Sequence, residues 1–393
     1  MRRCIQVVVV ALLLGVSPAA AERGVLREQS EQTVEPRGFK SLEVVNSRGR
    51  VDLLPSPDAR LHVTALKIVR VGNTERAEAV ARGIVVETGI QGDRYVVEVR
   101  YQKRRNIRVN FWDFFRVDGM HLTRYEVRIA CQVPRGMPVT VRESSGDIRS
   151  EGLATAQVLK TSSGDIEVLS AGGPLEASSS SGDVTATGIR EAKLKSVSGD
   201  VVVRLAAGPL RASSSSGGIS VADAGGELSI STVSGDIQVR QVAGALRAST
   251  SSGGISVTGA RDSLSLSSVS GDIEADAAPR GLEAGSSSGA VVVRGVTGTV
   301  KVGTVSGDVR LSLREPLRGV EAGTTSGEIR LALDSAVGCS LDMQTSSGTI
   351  EVEQPMQMKN VSRRSVTGVI RGGRTPVVLH TTSGDITVVG AGG

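Results

Sequence analysis

The feature that most constrains this chain is an internal repeat, marked by a Ser/Thr-Gly pair. The repeat glycine recurs in most cases at a period of about 18 residues, and a fixed period near 20 residues indicates a solenoid. In a solenoid each repeat packs against its neighbours. The sequence predicts fourteen repeats, with glycines at Gly146, Gly164, Gly182, Gly199, Gly217, Gly235, Gly253, Gly271, Gly289, Gly307, Gly327, Gly348, Gly368 and Gly384.

Apolar and polar residues alternate on both sides of each glycine. Ile or Val stands two residues after it, as at Ile237, and the positions seven and five residues before it are mostly apolar, as at Leu228 and Ile230. A period of two indicates strands with one buried face. The glycine is therefore expected at a turn, where it permits positive φ and the preceding Ser/Thr bonds the local backbone.

A second hydroxyl position lies three residues before the glycine. It has the same parity as the apolar positions of its strand, so we expect these hydroxyls to line the interior near the turn. The residues are Thr161, Ser196, Thr232, Thr250, Thr304, Thr345 and Thr381.

The position five residues before the glycine alternates between large and small side chains, as in Leu194, Ala212, Ile230 and Ala248. Two geometries remain open: an 18-residue turn of two strands with large side chains stacked over small ones, or a 36-residue turn of four strands. Aspartates such as Asp236 would stack about 4.8 Å apart in the longer turn, where like charges repel. This favours the 18-residue turn.

The first 21 residues have the three parts of a secretory signal. A basic start is followed by an apolar run from Ile5 to Val16 and by Ala19-Ala20-Ala21, so we expect cleavage after Ala21. Cys4 precedes the apolar run and is not placed for lipidation. We expect an exported protein, periplasmic or extracellular, with neither transmembrane segment nor lipid anchor. Cleavage lowers the formal net charge from +5 to +3, too little to indicate nucleic acid binding.

Residues 22–135 form an N-terminal section that is predicted to be mostly β with one short helix. The helix is expected at Thr74 to Arg82, ending before Gly83. Asn46-Ser47-Arg48-Gly49 lies between two apolar segments and looks like a degenerate copy of the repeat. Further strands are predicted at 61–71, 84–87, 95–101 and 124–133.

Within this section, the segment 102–123 combines basic and aromatic residues. One interpretation is a hydrophobic plug that covers the end of the solenoid. The other is a contact for an anionic glycan, a lipid or a partner. The candidate contact residues are Lys103, Arg104, Arg105, Arg108, Phe111, Trp112, Phe114, Phe115 and Arg116.

Two stretches carry a family resemblance. The run Val133-Pro134-Arg135-Gly136 leading into Ser145-Gly146-Asp147-Ile148, and the later Ser383-Gly384-Asp385-Ile386, resemble the bacterial putative-adhesin family. These are exported β-solenoid proteins of unknown function, and the resemblance covers most of the mature chain. It implies an all-β, repetitive β-solenoid at 136–393. The members of that family share no agreed catalytic residues, so the resemblance implies no activity.

Cysteine and histidine offer little chemistry. Cys131 and Cys339 lie about eleven repeats apart, far beyond the roughly 7 Å Cα separation of a disulfide at about 4.8 Å per rung, so both are predicted to be unpaired and buried. His62, His121 and His380 are scattered without metal-ligand spacing.

Two motif matches are explained by the repeat. Gly285 to Gly289 matches G-x-S-x-G, but these residues belong to the repeat and no strand-to-helix elbow follows. Calcium-binding rolls need several glycines and an aspartate in every repeat of nine, whereas this chain has at most one Gly-Asp in each of its repeats. Turn chemistry is therefore the better explanation of the Gly-Asp pairs.

The C-terminal repeats depart from the pattern. Arg363 and Gly372 occupy expected apolar positions, which predicts a loop or bulge exposing Lys359, Arg364, Arg371 and Arg374. The chain ends directly after a strand, so its last rung is expected to be open for pairing and for end-to-end self-association.

The sequence therefore predicts a non-enzymatic, exported scaffold of the cell envelope, structural or adhesin-like, with no catalytic residue, cofactor or metal. A polysaccharide-cleaving groove is disfavoured, because residues 140–393 contain no Phe, Tyr or Trp. The alternative is a ligand-binding module that uses segment 102–123. Expected partners are an envelope polysaccharide, a lipid or another protein, and no nucleic acid.

Overall fold

Strands that pair in parallel with the next repeat build most of this fold. The structure is a computed structural model that describes residues 25–71, 74–101, 124–373 and 375–390, without the side chains of 74–76. It divides into two units, Met1–Ala186 and Thr187–Gly393, and both are almost entirely β. The all-β, repetitive β-solenoid predicted from the repeat is confirmed.

The first unit contains one helix, α1 (Thr74–Arg82), and twelve complete strands among its described residues. The strands are β1 (Val25–Val34), β2 (Ser41–Val45), β3 (Gly49–Pro55), β4 (Leu61–Arg70), β5 (Ile84–Gln91), β6 (Arg94–Tyr101), β7 (Arg124–Val133), β8 (Val139–Arg142), β9 (Asp147–Glu151), β10 (Gln157–Lys160), β11 (Ile166–Leu169) and β12 (Pro174–Ser178).

Strand β13 (Val184–Ile189) spans the boundary, and twenty further strands are described in the second unit. These are β14 (Glu191–Lys195), β15 (Val201–Ala206), β16 (Leu210–Ser213), β17 (Ile219–Ala224), β18 (Leu228–Ser231), β19 (Ile237–Val242), β20 (Leu246–Ser249), β21 (Ile255–Thr258), β22 (Leu264–Ser268), β23 (Ile273–Asp276), β24 (Leu282–Ser286), β25 (Val291–Thr304), β26 (Val309–Ser326), β27 (Ile329–Leu333), β28 (Cys339–Ser347), β29 (Ile350–Val352), β30 (Gln357–Val361), β31 (Ser365–Ile370), β32 (Thr375–Ser383) and β33 (Ile386–Gly390).

In the second unit, one strand before and one strand after most repeat glycines make a rung. Leu228 in β18 pairs in parallel with Leu210 in β16 and with Leu246 in β20. Across the turn, Ile237 in β19 pairs with Ile219 and with Ile255. Each residue in this stretch thus pairs with its equivalents in the two adjacent repeats, and each rung contains two strands.

The inward side chains form a continuous apolar core along the rungs of the second unit. Leu228 and Ile237 are both 0% exposed. Ala212 pairs with Ile230, which pairs in turn with Ala248. A large side chain therefore lies between two small ones, which lets successive rungs fill the interior at normal packing density.

The N-terminal section contributes rungs to the first unit. Strands β2 and β3 pair in parallel with β8 and β9, so Asn46-Ser47-Arg48-Gly49 turns like a repeat. Strands β6 and β7 pair in parallel with the other edges of β2 and β3. The degenerate first copy is confirmed, and the parallel ladder continues across the predicted boundary at residue 135.

Antiparallel strands cover the end of this ladder. Strand β5 pairs with β6, strand β4 pairs with β7, and β1 pairs with β4. The predicted helix is found at the predicted residues, and the strands predicted at 61–71, 84–87, 95–101 and 124–133 are found with small shifts of their ends. Strand β1 was not predicted.

Two expectations for the C-terminal repeats are wrong. Gly368 lies inside β31, which pairs antiparallel with β28 and β30, so the thirteenth predicted repeat is a hairpin and makes no rung. The last strand, β33, is not open, because it pairs with β27 on one edge and with β29 on the other. As predicted, Lys359, Arg364 and Arg371 are exposed. Arg374 lies outside the described residues.

Candidate functional site

Buried hydroxyls tie each rung to the one before it. The Oγ1 of Thr232 donates to Gly217 O at 3.1 Å and accepts the N–H of Gly235 at 3.2 Å. The prediction that these hydroxyls line the interior is confirmed. The tie comes from the hydroxyl three residues before the glycine, whereas the sequence had suggested the one directly before it. The same pair of bonds is made by Thr161, Ser179, Ser214, Thr250, Ser268 and Ser286.

The repeat glycines are needed for close approach of the backbone. A Cβ built on Gly235 would overlap Gly217 O and lie 2.8 Å from Gly218 N. The equivalent overlap occurs at Gly253, Gly271 and Gly289. None of these four has a positive φ, although Gly384 has one, so the expectation of positive φ is wrong at these four turns. Glycine is required because the carbonyl of the preceding rung occupies the space of a side chain.

The aspartates after the glycines also serve the fold. Oδ1 of Asp236 accepts the N–H of Gly254 at 2.8 Å, and Oδ1 of Asp272 accepts the N–H of Ala290 at 2.8 Å. Each carboxylate thus satisfies an N–H group one rung further along. These bonds support turn chemistry as the explanation of the Gly-Asp pairs.

The two thiols are buried and are not activated as nucleophiles. Cys131 and Cys339 are both free and buried, as predicted. Burial raises the pKa of Cys131 to about 12 and that of Cys339 to about 11. The reactive form of cysteine is the thiolate, so neither thiol is prepared for nucleophilic chemistry at neutral pH.

The part of the chain that the structure describes contains no group of three His, Cys, Asp or Glu side chains that could serve as metal ligands. None of its helices is long and apolar enough to cross a membrane.

The predicted contact residues Lys103, Arg104, Arg105, Arg108, Phe111, Trp112, Phe114, Phe115 and Arg116 lie outside the described residues. The strands that lead into and out of their segment are described. They bring the rings of Tyr101 and Tyr125 to a centroid distance of 5.4 Å, and the guanidinium of Arg48 lies 5.0 Å from the centre of the Tyr125 ring.

A groove of about 630 Å³ lies on the outer face of the second unit. Its floor is one column of outward positions, four residues before the repeat glycine. Register places Gly285 beside Gly303 and Gly303 beside Gly323. We call this column, with the side chains around it, the glycine groove.

Side chains close the glycine groove on both sides and at its ends. One wall is the column two residues earlier, in which Glu283, Lys301 and Glu321 alternate in charge and Lys301 Nζ lies 4.0 Å from Glu321 Oε2. Hydroxyls of Thr325 and Thr382 line the other wall.

The floor column is bounded by Ser267 at one end and by His380 at the other, because they pair with Gly285 and Gly323. The imidazole of His380 lies over Gly323, since a Cβ built on Gly323 would overlap its Cε1 and Nε2 atoms. The side chain of His380 is exposed.

Two floor glycines have no local reason to be glycine. A Cβ on Gly303 would meet no atom within 4 Å, and one on Gly285 would meet only Gly303 O at 3.7 Å. Neither has a positive φ. Glycine inside a strand costs roughly 0.5–1 kcal/mol and often marks a site where a ligand approaches the backbone.

This site was not predicted from the sequence. In the sequence, Gly285 belongs to the G-x-S-x-G match and His380 is one of three scattered histidines. The sequence feature that could have predicted the groove is the residue type four positions before the repeat glycine, which points outward. This residue is serine in four successive repeats (Ser213, Ser231, Ser249 and Ser267) and glycine in the next three.

Comparison with known proteins identifies the repeats. The family model described as Toastrack DUF4097 matches residues 135–227 and 226–389. No curated protein matches the sequence.

Two solved structures show a distant likeness. A putative cell adhesion protein from Clostridium sporogenes ATCC 15579 shares 8% identity over 93% of this chain and 99% of its own, with a TM-score of 0.21. A putative adhesin from Bacteroides fragilis NCTC 9343 shares 12% identity over 95% of this chain and 100% of its own, also with a TM-score of 0.21. At these scores the likeness carries no argument about this chain.

Proposed function

The chain belongs to the Toastrack DUF4097 family, and we propose that it is a non-enzymatic, exported scaffold of the cell envelope that binds an extended polysaccharide along the glycine groove. The observation that carries the proposal is the glycine floor at Gly285 and Gly303, which leaves backbone exposed where the fold would accept side chains. Export is supported by the signal pattern at residues 1–21. Recovery of a secreted or periplasmic protein that begins at Glu22 is the result we expect from N-terminal sequencing.

A scaffold is favoured over an enzyme by the bonds that the recurring polar residues make. The Ser/Thr hydroxyls and Asp carboxylates of the repeats are the groups that resemble catalytic chemistry. In the structure they bond backbone groups of neighbouring rungs, as Thr232 and Asp236 do. Their recurrence is thus explained by the stacking of rungs.

The floor selects the kind of ligand. Its backbone N–H and C=O groups lie in the sheet and pair with the adjacent rungs. A peptide strand laid on this floor would find no main-chain partners, so it could not bind by strand addition. A chain of flat sugar rings could rest its C–H faces on the glycines and direct its ring hydroxyls sideways to the walls.

The walls fit hydroxyl groups. The carboxylates of Glu283 and Glu321 accept hydrogen bonds, the ammonium of Lys301 donates them, and the hydroxyls of Thr325 and Thr382 do both. Alternating charge along one wall favours a neutral chain over a strongly charged one. A volume of about 630 Å³ lies within the usual range for ligand sites.

The floor also sets the length of ligand that the glycine groove can hold. From Ser267 to His380 the column crosses four rung steps, which is about 19 Å at roughly 4.8 Å per step. A sugar residue in an extended β-1,4-linked chain advances by about one rung. We therefore expect a linear β-linked glycan to lie parallel to the column.

The test is titration calorimetry of the mature chain with β-1,4-linked hexamers of glucose and of N-acetylglucosamine, and with the α-1,4-linked glucose hexamer. Gly303→Val should weaken binding of the β-linked hexamers at least tenfold, because its side chain fills the floor while β-branching suits a strand. Ser231→Val is the matched control, since it lies in the same column outside the groove and should bind as the wild type does.

Equal binding by Gly303→Val, or no glycan binding by the wild type, would contradict the groove as a polysaccharide site. Binding of extended peptides in place of glycans, lost in Gly303→Val, would keep the groove and change its occupant. The scaffold role is tested separately by cell fractionation. If the Gly303→Val variant binds no glycan in the titration but stays in the envelope fraction, the scaffold role stands without glycan binding.

The basic aromatic segment 102–123 is the second candidate site. The aromatic and basic cluster of Tyr101, Tyr125 and Arg48 at its base favours it. Strands β6 and β7 already pair on their outer edges with β5 and β4, which argues against a need for a plug. Replacing residues 103–122 by a short Gly/Ser linker should abolish salt-sensitive binding to anionic polysaccharides or lipid vesicles while circular dichroism stays β-rich. Loss of folding would indicate the plug.

A further inference from the structure

One carboxyl group breaks the column of buried hydroxyls in the first unit. Val45 pairs with Arg142, and Arg142 pairs with Lys160. The next residue on each strand therefore continues the column, which places Glu143 between Asn46 and Thr161. Glu143 stands three residues before Gly146, where other rungs have the hydroxyl that ties them together.

Glu143 is buried without satisfactory partners. Its exposed fraction is 5%, and neither carboxyl oxygen makes a well-formed hydrogen bond. The N–H groups of Ser144 and Ser145 and the amide of Asn46 lie near enough to offset part of the desolvation. An isolated buried carboxylate is costly, so this position needs a physical explanation.

The neighbouring rung shows what the column position requires. Thr161 donates its hydroxyl to Gly146 O at 3.0 Å. The equivalent acceptor for Glu143 is Gly49 O, because Gly49 precedes Gly146 by one rung. Both groups lie beside Gly146, since a Cβ built there would overlap Gly49 O and lie 2.8 Å from the Glu143 carboxyl carbon.

Only one protonation state can fill this role. A carboxylate has no proton to donate and would face a carbonyl oxygen, whereas a carboxylic acid has one O–H donor. We propose that Glu143 is a proton-operated latch. When protonated it donates to Gly49 O, as the hydroxyls do in other rungs, and its ionisation loosens the rung of β2 and β3 from the rung of β8 and β9.

The surroundings of Glu143 support the protonated form. Burial raises its pKa from 4.5 to about 7, and the carboxylate of Asp147 adds a smaller rise. The phenol of Tyr101 faces it from β6 and donates to Asn46 Oδ1 at 3.1 Å. Burial and the Glu143 charge both raise the pKa of Tyr101, so that phenol stays neutral. The guanidinium of Arg48 lies instead over the ring of Tyr125, on β7.

The direction of the pH effect follows from the raised pKa. The folded state holds the Glu143 proton more tightly than the unfolded chain does, so the stabilisation is complete below about pH 4.5. It is lost as the pH rises to about 7 and beyond. An exported protein experiences the pH of its surroundings, so the Glu143 latch would respond to the external pH. The effect of the latch on the fold does not depend on the proposed function.

Hydrogen exchange followed by mass spectrometry tests the latch. In the wild type, peptides covering residues 41–55 and 139–151 should lose about tenfold or more of their protection between about pH 5 and about pH 8, after correction for intrinsic rates. Peptides covering residues 210–240 supply the internal reference, and their protection should not change.

Two variants test whether the ionisation of Glu143 causes the pH dependence of the exchange protection. Glu143→Gln keeps a neutral donor at all pH values, and Glu143→Thr restores the usual hydroxyl, so both should abolish the pH dependence. Glu151→Gln changes an exposed carboxylate on the adjacent β9 and should respond to pH as the wild type does. Protection that is independent of pH in the wild type would overturn the latch. The latch would also be overturned if Glu143→Gln and Glu143→Thr kept the pH dependence of the wild type.

Discussion

Gly235→Ala should destabilise the second unit by about 3–5 kcal/mol or prevent its folding. The added Cβ would overlap Gly217 O and lie 2.5 Å from the Gly217 carbonyl carbon. Both are backbone atoms whose positions are held by the pairing of β17 with β19. Relief would require the two rungs to separate, which would also break the bonds of Thr232 to Gly217 and Gly235.

The midpoint of urea unfolding, followed by circular dichroism, measures this effect. Gly303→Ala is the matched control, because it makes the same chemical change in the same unit where nothing lies within 4 Å. It should be neutral or slightly stabilising, since alanine restricts the unfolded chain. Equal midpoints for the two variants would mean that backbone contact is not the reason for the repeat glycine.

Ile237→Ala should cost about 2–5 kcal/mol. Ile237 is 0% exposed and packs between Ile219 and Ile255 in adjacent rungs. Its removal leaves a cavity that neighbouring rungs cannot close without breaking their strand pairing. The loss therefore includes the cavity as well as the transfer of the side chain from water.

Gln238→Ala provides the comparison for this truncation. Gln238 is the next residue on β19 and is exposed, so its removal should change stability by no more than about 0.5 kcal/mol. The same unfolding measurement serves both variants. A neutral Ile237→Ala would mean that the inward face of the strand is assigned wrongly.

Much of the fold could be predicted from the sequence, because equivalent residues of successive repeats have the same local environment. The alternation around Ile237 predicted the inward face, and the parity of Thr232 predicted a buried hydroxyl. The isolation of Cys131 predicted a free thiol. Each inference needed only the period of the strand and the length of one repeat.

Less of the candidate sites could be predicted from the sequence. The composition of segment 102–123 was obvious in the sequence, but its residues lie outside the described part of the chain. Gly285, Gly303 and Gly323 belong to three different repeats, so they form a floor only when the rungs stack. Nothing in the local sequence of His380 indicates that it lies over Gly323.

The solenoid, its inward face and the positions of its turns could be predicted from the sequence, because they depend on a period that recurs along the chain. The reason why the turn requires glycine is found only in the folded chain, since the obstructing carbonyl belongs to the preceding rung. The folded chain also places β33 between β27 and β29, and it buries Glu143 beside Gly146 without a well-formed hydrogen bond. Each of these depends on which strands become neighbours, and contacts between distant residues are set by stacking.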